Sequence, residues 1–190
     1  MSRKLASPEE LAFFKKTIEN AERLASDAQL MADNERAPSA MMLSIFAIEE
    51  LGKALITSWG VKNQANSRPY PTHIEKQAAT FALLSAYEMT KISKAKLRRK
   101  LAADGFDFTT IGPLSEQFAF ARSGFFDDVR MAVTYADQLP KMPLHDVEDG
   151  VHVDLASEIL GWFRLARRSM FNVSAMEMAS VLFENNLGRL

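Results

Sequence analysis

The sequence predicts an all-α protein, an up-and-down helical bundle of four to five helices. Two observations carry that expectation. Apolar residues recur at three- and four-residue spacing over long segments, and convincing two-residue alternation is missing. Serine, threonine, proline and glycine stand where helices start and stop. Ser7-Pro8-Glu9-Glu10 reads as an N-cap, a first-turn proline and a capping-box glutamate. From there Leu11, Phe14, Ile18, Ala21, Ala25 and Ala28 mark one face of a helix ending near Asp33. Pro38 opens a second helix that closes at Gly60. Residues 61–71 carry Asn63, Asn66, Pro69 and Pro71 and read as a loop. Thr72-His73-Ile74-Glu75 is a second capping box. It starts a third helix through Phe81, Leu84 and Tyr87, with Leu101 as its far limit. Gly105 to Pro113 is irregular. A fourth helix runs from about Leu114 to Asp137, with a bend at Gly124. Gln138 to Gly150 holds two prolines and reads as a loop. A last helix, about 153–187, passes through Ile159, Trp162, Phe163 and Ala166.

At 190 residues the chain fits one domain, 1–190, with a substantial core. It has no cysteine, which excludes disulfides and thiolate metal sites. Met1 to Pro8 is polar, and no apolar stretch reaches the ~20 residues of a membrane span. The expected location is the cytoplasm, with no membrane partner. A net charge of −1 gives no global cationic field for nucleic acid, so such binding has to come from local patches. The chain has no phosphate-binding Gly-rich loop, no Gly-x-Ser-x-Gly and no His-Glu-x-x-His. No cofactor and no metal are expected.

The most informative stretch is Ala40 to Ala54. It is apolar on nearly every side, yet Glu49, Glu50 and Lys53 sit in its middle. A helix hydrophobic all round is a buried one, and a buried charge needs a partner. Glu49 and Lys53 are four apart, the spacing of an ordinary surface pair. Glu50 points about 100° away and is the better candidate for a partner on another helix. Gly52 offers a small surface for close approach. Arg130, beside the stripe of Phe126, Val129, Val133 and Ala136, is the natural partner for Glu50. It also has Asp127 three residues back. The same guanidinium fork suits a phosphate. His73 and Lys76 share the first turn of the third helix. His73 reads either as a solvated capping residue or as a proton-transfer group. His145 and His152 lie among acidic residues, but their spacing matches no trusted metal motif. Lys91, Lys94, Lys96, Arg98, Arg99 and Lys100 form the densest positive patch, a solvated helix end or an RNA-contacting strip.

Three elements combine into a resemblance. Ser44 to Ala54 contains Ala-Ile-Glu-Glu-Leu-Gly-Lys-Ala and resembles the A-x-E-E-x-G-K-A signature of AbiV-type abortive-infection proteins. His73 and Lys76 resemble their H-x-x-K element, and Arg130 with Tyr135-Ala136-Asp137 their R-x4-Y-x-D element. These motifs span residues 40–137. The AbiV type is a branch of the HEPN superfamily. The resemblance implies a helical bundle, commonly a homodimer, acting in phage defence or as a toxin of a toxin–antitoxin pair. It further implies a possible metal-independent endoribonuclease, with RNA, an antitoxin or a phage protein as partner. The superfamily hallmark is Arg-x4–6-His, with the arginine on the scissile phosphate and the histidine assisting the 2′-hydroxyl. Arg130 matches the arginine, but Tyr135 stands where histidine is expected, and a phenol is a poor base at neutral pH. His73 is the candidate replacement. The expected site is Glu50, His73, Arg130 and Tyr135 for catalysis, with Lys53, Lys76 and Arg130 holding RNA. The alternative is a non-catalytic HEPN module that binds a protein partner or nucleotide.

Overall fold

The computed structural model describes residues 7–60, 70–91, 115–134 and 149–185. Among the described residues there are seven helices and no strand. They are α1 (Pro8–Asp33), α2 (Ala37–Trp59), α3 (His73–Lys91), α4 (Ser115–Ser123), α5 (Phe125–Thr134), α6 (Asp149–Ser169) and α7 (Val173–Glu184).

The start signals act as read. Ser7 Oγ accepts from the Glu10 amide at 3.2 Å, and the Ser7 amide donates to Glu10 Oε2 at 2.7 Å. Thr72 and Glu75 repeat the exchange at the head of α3, at 3.1 and 2.6 Å. Gly60 ends α2 in the left-handed region (φ 66°), which glycine enters without steric cost.

Two expected helices are each divided. The fourth breaks into α4 and α5 at Gly124, whose φ of 87° no helix accommodates. The last one starts earlier than expected, at Asp149, and breaks between Ser169 and Val173. There Asn172 caps α7 by accepting from the Ala175 amide at 3.0 Å. Residues 61–69 of the expected 61–71 loop, the continuation of the third helix toward Leu101, the irregular stretch at 105–113, the end of the fourth helix at 135–137 and residues 138–148 of the expected 138–150 loop lie outside the described residues.

Helix α2 is the centre of the bundle. It packs on α1, α3, α5 and α6, which explains its apolar circumference. Met41, Ile45, Leu51 and Leu55 are completely enclosed. Helix α3 packs on α2, α4, α6 and α7 and contributes Phe81, Leu83 and Leu84. Phe81 stacks on Phe126 of α5 with centroids 4.9 Å apart and planes 7° from parallel, and Trp162 of α6 meets both rings edge-on. Such aromatic pairs add about 0.5–1.5 kcal/mol beyond their buried area. They seat α5 against α3, and α5 carries Arg130. No helix among the described residues is long and apolar enough to cross a membrane.

Candidate functional site

The α2–α3 interface is unusually close at one point. A Cβ on Gly52 would lie 1.7 Å from the carbonyl oxygen of Lys76, so only glycine lets the two backbones meet there. The close approach expected of Gly52 is therefore made by α3. One turn further on, Thr80 Oγ1 donates to the Ile48 carbonyl at 2.9 Å across the same interface. Between these two contacts stands Glu49.

Glu49 is buried, with its side chain 5% exposed, and it gathers groups from two other helices. His73 Nδ1 lies 2.6 Å from Oε2, and Gln77 Nε2 donates to Oε1 at 2.9 Å. Lys76 Nζ stands 4.0 Å from Oε2, and Arg130 Nε stands 3.9 Å from Oε1. A carboxylate only accepts hydrogen bonds, so His73 Nδ1 carries the hydrogen in this contact. Arg130 in turn donates to Asp127 Oδ1 through Nε at 3.0 Å and a terminal nitrogen at 2.6 Å. His73 is the open edge of the cluster: its side chain is 46% exposed, against 14% for Arg130 and 17% for Lys76.

The expected roles of the two glutamates are exchanged. Glu50 does not reach Arg130. It pairs with Lys53 at 3.3 Å, and Lys53 also lies over the Phe13 ring, 5.3 Å from its centroid. The expected Glu49–Lys53 pair is not what forms. The reason is helical phase. Gly52 fixes which face of α2 meets α3, and Glu49, three residues before it, shares that face, whereas Glu50 is turned away. The structure thus brings together His73, Lys76 and Arg130 around Glu49 and leaves Glu50 and Lys53 in a separate pair. Tyr135, His145 and the basic run beyond Lys91 lie outside the described residues, and Lys91 itself sits over the Tyr87 ring at 4.2 Å. Gln77 escaped the sequence reading, although its position four residues after His73 puts both on one face of α3.

Ligand atoms of Glu49, His73 and Asp127 lie within 4.8 Å of one another, close enough to share a cation. Arg130 already donates to Asp127, and Lys76 stands beside Glu49, so an added cation would face two fixed positive charges. The arrangement places a buried carboxylate in hydrogen-bond contact with His73 and Gln77 and in the field of Lys76 and Arg130.

The site thus belongs to an all-α bundle whose second helix directs a buried glutamate at a histidine, a lysine and a late arginine. The AbiV family model matches residues 10–162, and the chain belongs to that family of HEPN proteins. The match takes in every residue of the Glu49 cluster and stops inside α6. Neither the comparison with curated proteins nor that with solved structures gives a match.

Proposed function

We infer that this AbiV-family protein is a metal-independent endoribonuclease of phage defence, with His73 as its proton-transfer group. The observation that carries the reading is the hydrogen bond of 2.6 Å between His73 Nδ1 and the buried Glu49. A buried anion holding one ring nitrogen fixes the imidazole's orientation and tautomer, and leaves Nε2 to act on a substrate. In the proposed reaction Nε2 takes the proton of an RNA 2′-hydroxyl, whose oxygen attacks the adjacent phosphorus. The bond from phosphorus to the 5′-oxygen breaks, and that oxygen takes a proton from solvent. The products are a 2′,3′-cyclic phosphate and a 5′-hydroxyl. Arg130 and Lys76 supply positive charge for the phosphoryl oxygens as negative charge builds on them. The reading includes a homodimer in the cytoplasm, restrained by an antitoxin or triggered by a phage protein.

Incubation of purified protein with total RNA in the presence of a chelator tests it. Wild type is expected to cleave, and His73→Ala and Arg130→Ala to lose at least about a hundredfold in rate. Identical RNA profiles for wild type and both variants would overturn the assignment.

A second reading rests on the burial of Arg130 and its two hydrogen bonds to Asp127. Here the cluster is a lock that holds α2, α3 and α5 together in a non-catalytic module that binds a protein partner or nucleotide. Melting of Arg130→Ala separates the two readings.

A further inference from the structure

We propose that Gln77 is a positioning residue of this site, dedicated to holding the Glu49 carboxylate so that its second oxygen faces His73. This rests on the ribonuclease reading for its kinetic consequence, though not for its structural one. Gln77 is completely buried, which is unusual for an amide side chain. Its Nε2 donates to Glu49 Oε1 at 2.9 Å, while its own Oε1, equally buried, has no hydrogen-bond donor among the described residues. A buried carbonyl without a donor is costly, and native proteins keep very few of them. Methionine or leucine would fill the same space without that penalty, so packing does not account for an amide here. Turning the amide over would put its carbonyl against the carboxylate, oxygen to oxygen, so the orientation is dictated by Glu49. The residue keeps one poor contact in order to make one good one.

The geometry explains what the good contact does. Glu49 has two oxygens and several suitors. Lys76 and Arg130 stand at 4.0 and 3.9 Å, too far to fix the carboxylate's rotation. Among the described residues Gln77 and His73 are the two partners at hydrogen-bonding distance, one on each oxygen. Both come from α3, one helical turn apart, so the spacing of that helix sets the plane of the carboxylate. With Oε1 secured by the amide, Oε2 stays directed at Nδ1. Without it the carboxylate is free to rotate, and the imidazole loses its single tautomer.

Imidazole nitrogen NMR on the intact protein tests this without relying on activity. The chain has three histidines, so a His73→Ala spectrum assigns the relevant signal. In wild type the neutral His73 ring is expected to show one tautomer, with the hydrogen on Nδ1. In Gln77→Met the expected spectrum is a mixture of the two tautomers. The paired kinetic expectation is a kcat lower by about tenfold or more, the scale on which supporting residues act. KM should be unchanged, because a fully buried side chain does not touch RNA. Should the methionine variant fail to fold, Gln77→Leu is read instead, since it also removes the donor at similar volume. A single Nδ1–H tautomer in the folded variant would overturn the positioning role. If neither wild type nor variant cleaves RNA, the ribonuclease reading fails, and the tautomer populations still decide the role of Gln77.

Discussion

Replacing Gly52 by alanine tests the linkage between backbone packing and the site. The added methyl carbon would sit 1.7 Å from the Lys76 carbonyl oxygen, whereas ordinary contact begins at 3.4 Å, so α2 and α3 must part by roughly the difference, about 1.7 Å. The obstacle is no flexible side chain: the three nearest atoms all belong to the Lys76 backbone. A separation of that size breaks the Thr80–Ile48 hydrogen bond, now 2.9 Å, and the Gln77–Glu49 bond, also 2.9 Å. A neutral hydrogen bond is worth about 1 kcal/mol and one to a charged group about 2 kcal/mol. Overpacking adds about 1–3 kcal/mol. The expected loss is about 4–6 kcal/mol, or roughly 10–20 °C in Tm for a chain of this size. Calorimetry and urea unfolding of Gly52→Ala measure it. A loss under about 1 kcal/mol, with the His73 tautomer intact, would refute the claim that this crossing builds the site.

Other expectations follow from the same contacts. Arg130→Ala should lower stability by about 3–5 kcal/mol if Arg130 locks the bundle, because the buried Glu49 and the half-buried Asp127 lose their guanidinium; unchanged melting together with lost RNA cleavage favours the catalytic role. Thr80→Val keeps the side-chain shape and removes the donor to the Ile48 carbonyl, so it should cost about 1–2 kcal/mol in chemical denaturation. A neutral result there would mean that the Ile48 carbonyl is satisfied within its own helix.

The fold was legible where the chain punctuates itself. Ser7, Thr72 and Gly60 declare helix ends through their own chemistry, and each acts at the position where it was read. The break at 170–172 was not legible, because no glycine or proline marks it and the apolar period runs on through Phe171. Asn172 alone signals it, and asparagine in a helical stretch is weak evidence. The site was legible as a set of residue types and misread in phase. A helix with a clear polar face announces which side meets solvent, but α2 is apolar all round and offers no such reference. Choosing Glu50 over Glu49 was therefore a choice between directions about 100° apart with nothing to orient them. Gly52 held the missing reference, since a glycine inside a buried helix points to where another backbone arrives. His73 and Lys76 were found because a capping box fixes the start of α3, and with it their common turn. Gln77 was passed over because a single amide has no distinctive spacing.

The aromatic trio beneath α5 has a practical consequence. Trp162 is edge-on to Phe81 and Phe126, and Phe126 is four residues from Arg130 on the same helix. The protein therefore carries a native fluorophore wedged under the element that bears its late guanidinium. The chain has two tryptophans, and Trp59 pairs with Phe183 elsewhere in the bundle, so Trp59→Phe leaves a single emitter. Its colour and lifetime would then follow any lifting of α5 in real time, with no dye attached.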